Sequence, residues 1–220
     1  RPKGRETKES RMMQANKASA SAIDDVIARA IRELDLADKV RLLTGAAAFS
    51  LQGNDAIGLR PMIFSDGPTG VRGSEFVGGQ KVALFPNATL LAQAWDEAAA
   101  ERVGEMLAGE GRSQNVDVVL GPTVNLHRSP LGGRLFEAYA EDPLLSGRLA
   151  AAYIRGVQRY GIGACVKHYV ANESETQRRT VNVRVSETAL RELYLMPFEI
   201  CVTDAHPWTI MAAYNDVNGV

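Results

Sequence analysis

From Ser21 onward the apolar residues Ile23, Val26, Ile27, Ala30, Ile31 and Leu34 recur at spacings of three and four. That period predicts an amphipathic helix, opened by a capping box in which Asp24 follows Ser21 by three residues. A second short helix is predicted after Asp35; it carries Val40, Leu42 and Leu43 and stops at Gly45. Then the period changes. Short apolar runs stand at "PMIF" (61–64), "ATLLAQAW" (88–95), "VDVVL" (116–120), "GIGACV" (161–166) and "WTIMAA" (208–213). Helical stretches are predicted from about Asp96 to Ser113, from about Pro143 to Tyr160, and from Ser186 to about Asp204. Strand, polar loop and helix in repetition predict an α/β fold with parallel strands.

The polar residues with chemical capability follow the carboxyl ends of the apolar runs. Asp66 comes after "MIF", Lys167 and His168 after "ACV", and Tyr214 and Asn215 after "IMAA". Arg134 lies in the long loop after "VVLGPTVN". In α/β barrels and in doubly wound sheets, sites form at that end of the strands. Lys167 and His168 emerge directly from a run that reads as buried, where an unpaired charge is costly. Either they face an anionic or hydroxyl-rich ligand, or they are satisfied structurally.

Composition narrows the partners without naming them. The 220 residues suit one large domain or two small ones, with an ordinary 45% hydrophobic and 23% charged content. A net charge of −1 gives no bulk attraction to nucleic acid or to a membrane. The early basic residues Arg1, Lys3, Arg5, Lys8, Arg11 and Lys17 lack an apolar period, so residues 1–20 read as a disordered lead-in. No apolar run reaches membrane-spanning length, and no signal peptide is visible, although a first residue of Arg leaves a trimmed leader open. Cys165 and Cys201 read as buried free thiols, which together with the missing leader gives a cytoplasmic expectation. His127, His168 and His206 lack metal-ligand spacing, and neither metal nor cofactor is expected.

Four motifs, in order, resemble glycoside hydrolase family 3 β-glucosidases: "SDGPTGVRG" (65–73), "GPTVNLHRSPLGGRLFEAYAEDPLLSG" (121–147), "ACVKHYVANESETQR" (164–178) and "TIMAAYNDVNG" (209–219). The resemblance runs from about Asp38 to Val220 and is nearest the bacterial and yeast branch with "FPN", here Phe85 to Asn87. It implies a (β/α)8 TIM-type barrel, incomplete in this chain with about six strand segments, occupying residues 21–220. It implies retaining hydrolysis of terminal β-D-glucosides. On this resemblance Asp66 grips outer hydroxyls in the −1 subsite, Arg72, Arg134, Lys167 and His168 surround it as hydroxyl-binding donors, and Met211 and Tyr214 line the subsite beside the nucleophile. The nucleophile and the acid/base fall beyond Val220, so the rest of the enzyme is required as partner. With Asp66 set against Arg72, Arg134, Lys167 and His168, the pocket looks cation-rich, and the missing nucleophile would balance it.

Plainer readings stand beside these. Asp66 is also a good turn residue in "SDGP", and Arg134 has Glu137, Glu141 and Asp142 within its own loop. Those three acids read as loop supports and a helix cap, whereas Glu173 and Glu175 read as solvated. Lys167 beside other cations would also suit a Schiff-base aldolase. A carbohydrate-binding partner without catalysis is the third reading.

Overall fold

The computed structural model describes residues 23–73 and 81–220. The lead-in expected over residues 1–20, and Ser21 of the expected capping box, lie outside the described residues. The chain divides into two compact units, Arg1–Pro61 and Met62–Val220.

In the first unit, residues 23–33 are helical (α1) and Asp35 caps a second helix, α2 (Leu36–Leu42), by accepting the Asp38 amide at 2.8 Å. A small antiparallel hairpin follows, β1 (Gly45–Ala47) with β2 (Ser50–Leu51). Leu34 is buried, but Ile23, Val26, Ile27 and Ile31 are exposed.

In the second unit the strands β3 (Met62–Asp66), β4 (Val118–Leu120), β5 (Gly163–Tyr169) and β7 (Thr209–Ala212) lie side by side, each parallel to the next. Register pairs Asp66 with Leu120 and Lys167 with Met211. Helices α4 (Glu97–Ser113), α5 (Pro143–Gln158) and α7 (Met196–Ala205) form the crossovers. A shorter pair, β6 (Asn182–Val183) and β8 (Asp216–Val217), is also parallel. Successive parallel strands joined by helices make this an incomplete (β/α) barrel.

The two longest helices, α4 and α5, start where an acid caps them. Asp96 accepts the Ala99 amide at 3.0 Å, and Asp142 accepts that of Leu145 at 2.7 Å, with Pro143 in the first turn. Two expectations are corrected. "ATLLAQAW" is the helix α3 (Ala88–Ala94), not a strand; Asn87 caps it through the Leu90 amide at 2.8 Å, and alanine favours helix. The helix expected to run unbroken from Ser186 is divided into a turn of α6 (Glu187–Ala189), a π-helical turn at Leu190–Tyr194, and α7. Pro197 has no N–H to continue the regular ladder, and the π turn absorbs the mismatch just before it.

The core lies between strands and helices. Val103 and Leu107 of α4, Leu149 to Ile154 of α5, and Phe198 and Cys201 of α7 pack together with Val119, Ala164 and Val166 of the sheet. Helix α5 is buried on nearly every side, as a central layer helix must be. It crosses α4 at backbone contact: a Cβ on Gly156 would run into the Glu101 carbonyl, and one on Gly104 into that of Tyr153. Beyond the crossing, Arg148 and Arg155 of α5 and Arg159 at its C-terminal cap pair with Glu97, Glu101 and Glu105 of α4. Gly109, on the same α4, has open space where its side chain would be. Gly156→Ala is therefore expected to destabilise the protein by about 1–3 kcal/mol through overpacking. Gly109→Ala should instead stabilise it by up to about 1 kcal/mol through helix propensity. Denaturant unfolding of both variants checks this; shifts of equal sign would refute the close crossing.

Candidate functional site

The site grows from the loop after β3. Gly67 at φ 113° lets the chain reverse where a side chain would strike the Gly70 carbonyl. Its amide donates to Asp66 Oδ1 at 3.1 Å, and the Arg72 amide donates to the Asp66 carbonyl at 3.1 Å. Ser65 ties the loop's far end, its hydroxyl accepting the Gly73 amide at 2.8 Å. From behind, the buried Tyr153 of α5 donates its hydroxyl to the Pro68 carbonyl at 3.3 Å. Asp66 is thus more than a turn residue: its side chain, 37% exposed, stands at the carboxyl end of the sheet facing cations.

The chief cation is Lys167. It is 2% exposed, and its Nζ lies 3.1 Å from Asp66 Oδ1 and 3.8 Å from Glu137 Oε2. The strand carrying it is gripped by the segment after β4: the Lys167 amide donates to the Pro122 carbonyl at 3.0 Å, and its own carbonyl accepts the Val124 amide at 2.9 Å. Arg134 clasps Glu137 with two hydrogen bonds of 2.8 Å, from Nε and from Nη2. Its Nη1 lies 3.2 Å from His168 Nε2. Arg72 Nη2 lies 3.6 Å from Asp66 Oδ2.

These contacts fix the charge states. Burial pushes the Asp66 carboxyl up, but Lys167, the Gly67 amide and Arg72 together outweigh it and hold the group below its ordinary value. Burial and then the charges of Arg134, Lys167 and Arg178 push His168 down to about 3, so the imidazole is neutral. Its Nδ1 sits 3.1 Å from Asn125 Oδ1, an acceptor only, so the proton is placed on Nδ1 and Nε2 accepts from Arg134. Burial pushes Arg134 down, but its bonds to Glu137 raise it further still.

Five of the residues singled out in the sequence, Asp66, Arg72, Arg134, Lys167 and His168, therefore form one network. Met211 is half-buried on β7 in register with Lys167. Tyr214 is placed apart from them, 64% exposed, with the Arg178 and Arg179 guanidinium carbons 5.5 and 5.4 Å from its ring centre. The cation excess expected from the sequence is corrected: Glu137 is a buried second carboxylate for Lys167 and Arg134, and His168 carries no charge. Glu141 is exposed, and Asp142 is the cap of α5. Glu173 and Glu175 are half-buried rather than solvated. Glu173 Oε1 accepts the Leu126 amide at 3.2 Å; Glu175 accepts from Asn172 at 3.1 Å and from Arg178 at 2.9 Å. Sequence reasoning missed Asn125, whose Oδ1 also accepts the His168 amide at 2.9 Å. The Asn in "PTVN" is the sole local sign of it.

Parallel strands with outer helices and a charged cluster at their carboxyl ends define a domain of the (β/α)-barrel class with a polar site at the strand ends. The glycosyl hydrolase family 3 N terminal domain matches residues 14–220, and the chain belongs to that family. It is 48% identical over 207 residues to beta-glucosidase B of Emericella nidulans, covering 94% of this chain and 24% of the relative. It superposes on the structure of Kluyveromyces marxianus beta-glucosidase in complex with glucose with TM-score 0.86 at 42% identity, covering 88% of this chain and 23% of that one. For Thermotoga neapolitana beta-glucosidase 3B in complex with glycerol the TM-score is 0.84 at 39% identity, covering 88% and 30%. The chain thus spans about a quarter of the length of the curated relative it matches.

Two outcomes are expected from the charge network. Glu137→Ala removes the bidentate carboxylate of Arg134 and leaves Lys167 with Asp66 alone, and should cost about 3–5 kcal/mol of stability, read by denaturant unfolding. A loss under 1 kcal/mol would show that the pair is solvated. For His168 the folded value of about 3 lies below the ordinary 6.5. Its contribution to stability is complete above pH 6.5 and is lost as pH falls towards 3, with a slope of up to about 1.4 kcal/mol per pH unit. His168→Gln should lack that slope; equal acid limbs in the two proteins would contradict a buried neutral imidazole.

Proposed function

We propose that this domain holds the terminal sugar of a β-glucoside in the −1 subsite of a retaining β-glucosidase. In this reading the nucleophile and the acid/base come from chain beyond Val220. The observation that carries it is the Asp66 carboxylate, kept ionised and oriented by the buried Lys167 while part of it stays open at the strand ends. An ionised carboxylate accepts from two hydroxyls, and the Lys167 ammonium has three donors for two carboxylate partners. Arg72 and Arg134 supply further donors around it. In this reading His168 acts through its hold on Arg134, and Met211 and Tyr214 border the sugar on the β7 side. Bonds that tighten as the ring flattens lower the barrier as well as binding the substrate.

The aldolase reading relied on cationic neighbours around Lys167. Its Nζ instead meets Asp66 and Glu137, anionic neighbours in place of the cationic ones that activate a Schiff-base lysine. Borohydride treatment with a carbonyl substrate is expected to leave Lys167 unmodified.

Asp66→Ala, made in the full-length enzyme, is expected to lower kcat/KM about a hundredfold or more. Two lost charged hydrogen bonds are worth roughly 3 kcal/mol or more together. Glucosides lacking the 4- and 6-hydroxyls should show little further loss. Aryl glucoside hydrolysis by Asp66→Ala at wild-type efficiency would rule out the sugar-binding role.

A further inference from the structure

Tyr214 borders the sugar in the reading above, yet it stands apart from the charge network. The polar and charged contacts of its side chain among the described residues are two guanidinium groups, Arg178 at 5.5 Å and Arg179 at 5.4 Å from the ring centre. The two differ in anchorage. Arg178 is half-buried, and its Nη1 donates to Glu175 Oε2 at 2.9 Å. Arg179 is exposed and has no carboxylate partner among the described residues. Glu175 is itself held from two other directions. Its Oε1 accepts from the Asn172 side chain at 3.1 Å. The loop that carries Arg134 backs onto its methylenes, so closely that a Cβ on Gly133 would lie 3.1 Å from the Glu175 Cγ and 3.2 Å from its Cβ. Glu175 also lines the small cavity beside Arg134 and His168.

We propose that Glu175 is a positioning residue that fixes Arg178 and, through its guanidinium, the Tyr214 ring beside the sugar. A group can steady another only if it is steadied itself. A cation over an exposed ring is worth about 0.5–1 kcal/mol, so an arginine with no other tie moves with the ring. That is the condition of Arg179. Arg178 is different, because a charge-assisted hydrogen bond ties it to a carboxylate that Asn172 and the Gly133 backbone already hold in place. The ring face then rests on a fixed cation. Glu175 is the one carboxylate that Arg178 meets among the described residues, so no second anchor replaces it. One side chain after β5 thus touches the loop that brings Arg134 and supports the aromatic residue after β7. The consequence for the sugar rests on the function proposed above; the link from Glu175 to the ring does not.

The test uses full-length enzyme with 13C-labelled tyrosine rings, the Tyr214 signals being assigned by their loss in Tyr214→Leu. Glu175→Met keeps the length of the side chain against Gly133 and removes both acceptors. It should move the Tyr214 ring signals in the same direction as Arg178→Met, and the two changes together should move them no further. Arg179→Met should move them less than either. Tyr214 signals left in place by Glu175→Met, or moved most by Arg179→Met, overturn the proposal. Inhibition by D-glucose gives the second reading: Glu175→Met should weaken it about fivefold in the wild type and have no further effect in Tyr214→Leu. An equal loss in the Tyr214→Leu background also overturns the relay. If Tyr214→Leu leaves glucose inhibition unchanged while Glu175→Met moves the ring signals, the relay stands and the placement of Tyr214 beside the sugar fails. Should Glu175→Met not fold, Glu175→Gln decides by the same two readings, since it keeps the side-chain shape and removes only the charge that ties Arg178.

Discussion

The arrangement depends on one ammonium group removed from water. Lys167 is 2% exposed, and a charge so placed is tolerable only with close, well-oriented partners. Asp66 arrives from β3 and Glu137 from the long loop after β4, so a single cation binds three separated segments at one sheet edge. Glu137 then has a second obligation to Arg134, and Arg134 to His168. Each group is placed by the one before it. Preorganisation of this kind keeps a polar site from relaxing around its own charges when the ligand is absent.

Scaffold and site are separable in kind though joined in space. The helical layer is packed by small residues, with glycines where α4 and α5 touch and alanines along both. Its ion pairs lie on the outer surface, where they contribute little each. The charged groups at the strand ends are the reverse: few, buried and mutually dependent. Stability is spread widely across the helices, whereas chemistry is concentrated where the strands end.

The sequence made the parallel strands and the starts of α4 and α5 legible, because periodicity and capping are local. Asp96 and Asp142 sit next to the helices they cap. "ATLLAQAW" failed because a run of eight with several alanines is too short for its period to separate helix from strand. The π turn at Leu190–Tyr194 left one local sign, Pro197 just beyond it, which the apolar period of the segment outweighed. At the site, Glu137 was within reach as the third residue after Arg134. The contact between Lys167 and Asp66 spans 101 residues and came from motif order rather than from any property of either residue. Glu173 was read as solvated because its neighbours are polar; the partner it meets is the backbone amide of Leu126, 47 residues earlier.

The hydrogen bond from Tyr153 to the Pro68 carbonyl has a bearing on how variants of this protein would be interpreted. Tyr153 belongs to the helical layer and touches no reacting group, yet it braces the loop that aims Asp66. A survey of random substitutions scored only by turnover would return Tyr153 among the active-site residues. Scored by abundance, the same survey would return it among the core. A phenylalanine there would keep the packing and remove only the brace, so geometry transmitted through a loop could be told apart from loss of the folded chain.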